Sequence, residues 1–249
     1  MHIFSRTELL LGQGALERLA RARMIVFGIG GVGGYASEAL VRCGLGNIAL
    51  VDHDTVGLTN INRQVHATHS TLGLPKVDAM ASRLLDINPD AVVETIQLFF
   101  APGMASDFLT GHFDCVLDCM DTVACKLALV VEAHLRGFPT ISCMGTGNKL
   151  DPTGFRVADI YETTNCPLAR TMRKELRKRG IDRLRVVYSG EAPRAPLDAS
   201  LHSKMLAELS PEASSRRAVP GSVPFVPAAA GLLMAAEAVG IALADGGQS

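Results

Sequence analysis

Tryptophan is absent, and aromatic residues make up only 5% of the 249-residue chain. Alanine, glycine, valine and leucine are plentiful instead, a balance that suits helices packed closely on a sheet in an α/β protein. An excess of charge of either sign is also missing. The formal net charge is −1, so no global field draws the protein to nucleic acid or membrane, and any such attraction must be local. The six cysteines are Cys43, Cys115, Cys119, Cys125, Cys143 and Cys166, and none of them forms a Cys-x-x-Cys pair. That spacing argues against a disulfide framework. The thiols read as small buried hydrophobes of a protein in a reducing cytosol, so a cytoplasmic location is expected. Residues 1–23 mix charges with apolar side chains and lack the unbroken core of a secretory signal. One apolar run, Phe225 to Ala244, approaches the length of a membrane span. Pro227, Glu237 and its richness in alanine and glycine mark it instead as a helix of the core or of a subunit interface. There are no internal repeats.

The chain is long enough for one domain with a substantial core. Helical spacing at Leu9, Leu10, Leu16, Leu19 and Ala20 predicts an amphipathic leading helix over Leu9 to Ala22. A strand at Met24 to Phe27 runs into the glycine cluster Gly28 to Gly34. A helix follows to Arg42, and a second strand, Asn47 to Val51, ends on Asp52. A long polar loop, His53 to Leu74, precedes a helix from Pro75 to Ile87. Strands at 92–98, 115–117 and 140–143 then alternate with helices at 102–109 and 122–136. The expected fold is α/β: a Rossmann-like, mostly parallel sheet flanked by helices. After Gly147 the pattern changes to strands at 155–160 and 184–189, a basic helix at 168–179, a flexible excursion from Glu191 to Pro224, and the final apolar helix. We therefore expect a single domain over 1–249, with a nucleotide-binding core at 1–147 and a C-terminal, substrate-side strand/helix extension at 148–249.

The glycine cluster carries the first chemistry. Gly28, Gly30, Gly31 and Gly33 lie between a strand and a helix, where a tight turn lets backbone N–H groups approach phosphate at a helix N-terminus. Asp52, ending the next strand, is placed to accept hydrogen bonds from ribose hydroxyls. The nucleotide reads as ATP rather than NAD. Splitting ATP between its α- and β-phosphates calls for cations around the triphosphate and a metal to hold it. Arg63 in the long loop, Lys76 at the next helix start and Asp121 after the fourth strand are suited to these tasks, at the edge where open α/β sheets bind ligands.

These motifs occur in a fixed order. They run Gly-x-Gly-Gly-x-Gly, then Val51-Asp52-His53-Asp54, then Asn60-x-x-Arg63-Gln64, then Gly73-x-Pro75-Lys76, then Asn88-Pro89 and Asp118-x-x-Asp121. The set, covering Arg6 to about Gly147, resembles the ubiquitin-activating-enzyme-like (ThiF/MoeB-type) superfamily. The resemblance implies carboxylate adenylation with ATP and magnesium. Asp52 would bind ribose, with Asp54 and Gln64 also in the nucleotide site. Asn60, Arg63 and Lys76 would hold or polarise the triphosphate. Asp121 would coordinate the metal, and Arg63, Lys76 and Asp121 together would carry catalysis. It also implies a homodimer in which Arg6 reaches the neighbouring nucleotide.

The second half separates two subfamilies. Activators of ubiquitin-like sulfur carriers generally hold structural zinc with Cys-x-x-Cys pairs, which this chain lacks. Asp151-Pro152-Thr153, Val157-Ala158-Asp159-Ile160, Pro167-Leu168-Ala169 and the basic helix instead resemble the tRNA threonylcarbamoyladenosine dehydratases. That implies an ATP-dependent tRNA-modifying enzyme that adenylates a threonyl carboxylate and closes a ring, with the tRNA anticodon stem–loop as partner. The alternative is an adenylyltransferase for a sulfur-carrier protein, with a sulfur-relay partner such as a cysteine desulfurase. Relatives often carry a cysteine shortly before the final helix; Val219 to Pro224 holds none, and Cys166 is the nearest thiol in what reads as a loop. His66 and His69, in the long loop, read as substrate contacts or as solvated side chains. Helical spacing places Arg170, Arg173, Lys174 and Arg177 on one face, a row suited to a phosphate backbone.

Overall fold

The computed structural model describes residues 1–195, 197–198, 200–201, 203–204 and 219–244. Seven strands form one sheet: β1 (Arg23–Phe27), β2 (Asn47–Val51), β3 (Val92–Ile96), β4 (Cys115–Asp118), β5 (Thr140–Cys143), β6 (Phe155–Asp159) and β7 (Arg185–Ser189). Their spatial order is β3-β2-β1-β4-β5-β7-β6. Every neighbouring pair is parallel except the last, β6 against β7. β1 and β2 each run through four consecutive apolar residues, Met24 to Phe27 and Ile48 to Val51, because both of their faces are covered, as in other parallel sheets; all of β4 is buried. The edge strand β3 is largely exposed.

The helices are α1 (Ser5–Leu11), α2 (Gln13–Arg21), α3 (Gly33–Arg42), α4 (Lys76–Ile87), α5 (Ala105–Phe108), α6 (Val123–Leu135), α7 (Pro167–Lys178) and α8 (Phe225–Ala244). One face of the sheet is covered by α3, α4 and α8, whose Leu40, Met80, Met234 and Ala238 join Met24, Val26 and Leu50 in the main core. The other face is covered by α5 and α6 through Ala105, Leu129 and Ala133 against Phe27 and Val116. Helix α7 closes the far end, with Met172 and Leu176 packed on Val186 and Tyr188. Helix α8 is long and apolar enough to cross a membrane by length and composition. It lies along α3, however, with Val226, Ala230, Met234 and Ala238 buried at spacings that repeat about every four residues. Its acidic residue, Glu237, pairs with Arg185 at the start of β7.

Two expectations are corrected. The leading helix is two helices, because Gly12 has φ +84° and ends α1 before α2 begins. Pro75 caps α4 from outside rather than opening it. The long loop 53–74 is ordered: Val56 N donates to Leu74 O at 2.8 Å, Gly73 N to Val56 O at 2.9 Å and Lys76 N to Asp54 O at 3.0 Å, so its two ends form a clip. Much of the excursion expected at 191–224 lies outside the described residues.

Candidate active site

The order of strands reverses at β1, between β2 and β4, and a crevice at such a point is where open α/β sheets take ligands. Here β1 leads into the glycine turn. Gly28 has φ +89°, and a Cβ there would stand 2.9 Å from the Cys119 carbonyl carbon and oxygen. A Cβ on Gly33 would stand 1.9 Å from Gly28 O. Only glycine permits both approaches, and together they bring the start of α3 against the loop after β4. Helix α3 has no side-chain cap at its N-terminus; Gly34 N and Ala36 N of its first turn donate to Gly30 O and Val32 O, each at 3.0 Å, and a helix start without a side-chain cap is suited to an anion.

Asp52 is fixed from two sides. Its Oδ2 accepts from Ile29 N at 2.6 Å and its Oδ1 from Asp54 N at 2.9 Å. Asp54 in turn accepts from Lys76 Nζ at 2.6 Å, and His53 Nε2 lies 3.1 Å from its other oxygen. Lys76 is 5% exposed, placed beside Asp54 by the clip between the loop's two ends. The ligand atoms of Asp52, His53 and Asp54 all lie within 4.8 Å of one another. Across from them, Arg63 Nη1 donates to Thr59 O at 2.9 Å and to Asn62 Oδ1 at 3.0 Å; burial pushes its guanidinium pKa down. Asn60 holds the same turn, accepting from Gly57 N at 3.0 Å through Oδ1 and from Arg63 N and Gln64 N through its carbonyl.

Gln64 is buried beside Gly30, with its Oε1 unpartnered. His66 is neither solvated nor on the surface: it is 3% exposed, packs against Gly34 and has no hydrogen-bond partner on either ring nitrogen. Burial, followed by the charges of Lys76 and Arg83, lowers its pKa to about 4. His69, by contrast, is exposed.

All the expected residues but Arg6 and Asp121 therefore fall into one connected group. Ile29 and the glycine turn meet Asp52, Asp52 meets Asp54, Asp54 meets Lys76, and Gly30 and Gly31 meet Gln64 and the Arg63 carbonyl. Asp121 lies on the exposed loop after β4, whose first residue touches Gly28. Arg6 stands apart. It is exposed on α1, a helix that buries none of its residues, and no hydrogen bond or ion pair among the described residues joins it to this group.

Two corrections concern the second half. Cys166 ends the loop before α7 but is buried rather than open: it caps the N-terminus of α7, with Sγ accepting from Ala169 N at 3.5 Å. The basic row on α7 is not uniform. Arg173 turns inward and donates to Thr163 O at 2.9 Å, to the Thr163 hydroxyl and to Ile160 O at 3.4 Å. Arg177 stacks over the Tyr161 ring at 5.0 Å. Lys178 and Arg179 are paired with Glu175 at 2.6 and 2.8 Å, and these two contacts hold the Glu175 carboxyl down to about 2. Arg170, Lys174 and Arg183 are exposed.

Sequence reasoning missed a network beneath the site. Lys126 and Asp118, both fully buried, pair at 2.9 Å. Lys126 Nζ also donates to Cys143 O at 2.8 Å and Met120 O at 3.1 Å, while Asp118 accepts from Ser142 Oγ at 2.6 Å and Met120 N at 3.2 Å. The network ties the carboxyl ends of β4 and β5 to the loop that carries Asp121. The one signal for it was a single cation inside an otherwise apolar turn of α6. A separate groove of about 260 Å3, lined by Arg23, Ile25, Glu94, Ile96 and Phe113, contains none of the expected site residues. In it Arg23 is paired to Glu94 at 3.1 Å and lies over the Phe113 ring.

Comparison with known proteins converges on one family. Residues 4–248 match the ThiF family. The chain is 42% identical to the tRNA threonylcarbamoyladenosine dehydratase of Bacillus subtilis over 243 residues, which is 96% of this chain and 94% of that one. It superimposes on the Escherichia coli tRNA N6-threonylcarbamoyladenosine dehydratase in complex with AMP with a TM-score of 0.87 and 30% identity, covering 99% of this chain and 96% of that one. For the complex of that dehydratase with ATP, the TM-score is 0.84, with 31% identity and coverage of 98% and 94%. Similarity to the molybdopterin-synthase adenylyltransferase of Haemophilus influenzae is 37% over 126 residues, 51% of each chain. The chain belongs to the ThiF family, in its branch of tRNA threonylcarbamoyladenosine dehydratases.

Proposed function

We propose that this protein adenylates the threonyl carboxylate of threonylcarbamoyladenosine in tRNA with ATP and closes the ring with net loss of water. The observation that carries this reading is the likeness, over nearly its whole length, to a dehydratase of that name, joined to the connected Asp52–Asp54–Lys76 and glycine-turn geometry. In this reading Asp52, already oriented by two backbone N–H groups, receives the ribose hydroxyls. The glycine turn at the start of α3 receives the α-phosphate. Arg63 and Lys76, with Asn60 and Gln64 beside them, hold the triphosphate and stabilise charge as pyrophosphate leaves.

Asp54 half-neutralises the Lys76 ammonium before nucleotide arrives, so a buried cation is never left alone. The Asp121 carboxylate offers the hard oxygen that magnesium prefers. The metal, when bound, screens the triphosphate. The carboxylate oxygen attacks the α-phosphorus and pyrophosphate departs. The carbamoyl group then attacks the activated carbonyl and AMP leaves. The nucleophile belongs to the substrate, so no enzyme thiol is required, which agrees with Cys166 being a buried helix cap.

Three further assignments belong to the same reading. The protein is cytoplasmic, with residues 1–147 as nucleotide-binding core and 148–249 as substrate-side extension. It is a homodimer in which Arg6 of a second copy completes the site; exposed Leu9 and Leu10 on α1, at 89% and 85%, supply an apolar surface for that contact. The anticodon stem–loop lies along Arg170, Lys174 and Arg183 rather than along Arg173. A sulfur-carrier activator, with its sulfur-relay partner, is the weaker reading, because no Cys-x-x-Cys pair is present and the likeness to a molybdopterin-synthase adenylyltransferase covers half of the chain. Mass spectrometry of tRNA nucleosides from a strain lacking this protein tests the choice. Loss of the cyclic nucleoside supports the dehydratase, and its persistence with loss of molybdopterin or thiamine supports the other.

A further inference from the structure

The short segment 219–224 returns to the body of the protein just before α8, and contacts from Asn148, Gly147 and Asn62 hold it there. Asn148, with φ +61°, is in the left-handed region that asparagine tolerates better than most residues. Its N–H donates to Gly221 O at 2.8 Å, and its Oδ1 accepts from Gly221 N at 2.7 Å. The neighbouring Gly147 is pressed so close to Pro220 that a Cβ would stand 2.6 Å from the proline Cβ. On the other side, Asn62 Nδ2 donates to Ser222 O at 3.0 Å, while Asn62 Oδ1 accepts from Arg63. The Pro227 ring then rests on Gly31 of the glycine turn.

Segment 219–224 therefore bridges the triphosphate-side arginine and the exit of β5. The outgoing arm is held at the same point, since Asn148 O accepts from Arg194 N at 2.8 Å. The Glu191 carboxylate accepts from Leu150 N and Asp151 N at 3.0–3.1 Å, and buried Lys149 donates to Glu191 O. One left-handed asparagine clasps both ends of the excursion, and neither the sequence motifs nor the proposed nucleotide contacts account for it.

We propose that Asn148 is a positioning residue that pins segment 219–224 beside the nucleotide loop, so that the acyl-adenylate is consumed by ring closure and not by water. This rests on the dehydratase reading. The adenylate has two fates. In ring closure the carbamoyl group bonds to the threonyl carbonyl carbon, the carbon–oxygen bond to AMP breaks, and the carbamoyl proton passes to solvent. In hydrolysis a water oxygen makes the bond instead, AMP leaves and the threonyl carboxylate is regenerated. Both release one AMP, so the ratio of AMP to cyclic product reads the partition directly.

The full-length protein, tRNA bearing threonylcarbamoyladenosine and ATP are incubated in water enriched in oxygen-18. AMP, cyclic nucleoside and label in the recovered threonyl carboxylate are measured, with ATP–pyrophosphate exchange alongside. Asn148→Gly keeps the backbone conformation but removes the acceptor, and the ratio of hydrolysis to ring closure, read as the excess of AMP over cyclic product per product, is expected to rise about fivefold, the effect of losing one ordinary hydrogen bond. Label appears in the carboxylate, and exchange stays at the parent rate. Asn148→Asp retains the acceptor oxygen and keeps the parent ratio. Gly221→Pro deletes the same bond from the other side and answers the question if Asn148→Gly loses its fold. A parent-like ratio in a folded Asn148→Gly or Gly221→Pro protein overturns the proposal. A parent protein that gives no exchange and no cyclic product overturns the dehydratase reading instead.

Discussion

Two lysine–aspartate pairs lie near the carboxyl edge of the sheet. Lys126–Asp118 has both side chains at 0% exposure, with every remaining bond made to β4, β5 or the loop after β4. Lys76–Asp54 is buried on the lysine side alone, and its aspartate side chain is half exposed. The first pair is closed and fixes the backbone of a loop. The second leaves Asp54 half exposed, where the proposed nucleotide would compete for the ammonium. Residue type is the same in both; burial and partner count separate scaffold from site.

The largest expected effect is on the closed pair. Lys126→Met leaves Asp118 buried without its cation and lowers stability by about 3–5 kcal/mol, measured by urea unfolding. The double variant Lys126→Met, Asp118→Asn recovers part of that loss. A small cost for the single variant would put Lys126 on the functional side of the comparison. Next come the open pair and its neighbours. Lys76→Ala, Arg63→Ala and Asp121→Ala each lower AMP formation by about a hundredfold to a thousandfold, or about 3–4 kcal/mol of transition-state stabilisation, with the urea midpoint nearly unchanged in Asp121→Ala, whose side chain is exposed.

Between the two sits His66. Its pKa is lowered to about 4 in the fold by burial first and then by Lys76 and Arg83, against about 6.5 in the unfolded chain. The unfolded chain thus binds the extra proton between those values. Stability is full above about pH 6.5 and declines as pH falls towards 4, by roughly 3 kcal/mol. Urea unfolding at pH 7 and pH 5 shows the decline in the parent, and His66→Gln lacks it. The smallest effects are on α7. Arg173→Ala lowers stability by about 1–3 kcal/mol because it empties bonds to Thr163 and Ile160, whereas Lys174→Ala changes it by less than about 0.5 kcal/mol. Conversely, reversing Arg170, Lys174 and Arg183 to Glu weakens tRNA binding and flattens its salt dependence. Calorimetry with ATP finds the same affinity as in the parent.

The nucleotide half was legible because its chemistry is local. A glycine turn after an apolar strand, and an acidic residue ending the next strand, fix positions within a few residues of chain; β2, β5 and α8 fall where periodicity puts them. The second half was legible only as composition. A row of cations at helical spacing does not reveal that Arg173 faces Thr163, because that depends on a turn ten residues upstream. The Lys126 network and the Asn148 clasp join segments far apart in sequence, so no spacing announces either of them. Gly12 shows the same limit at close range: apolar spacing carried the leading helix straight through a residue whose positive φ ends it.

The most direct test of the central claim is a single-turnover reaction of purified protein with ATP and tRNA bearing threonylcarbamoyladenosine, with nucleotides and nucleosides resolved by mass spectrometry. AMP, pyrophosphate and a modified nucleoside lighter by one water are expected in equal amounts, all lost together in Arg63→Ala. Formation of ADP and phosphate, or AMP with the tRNA unchanged, would contradict the claim.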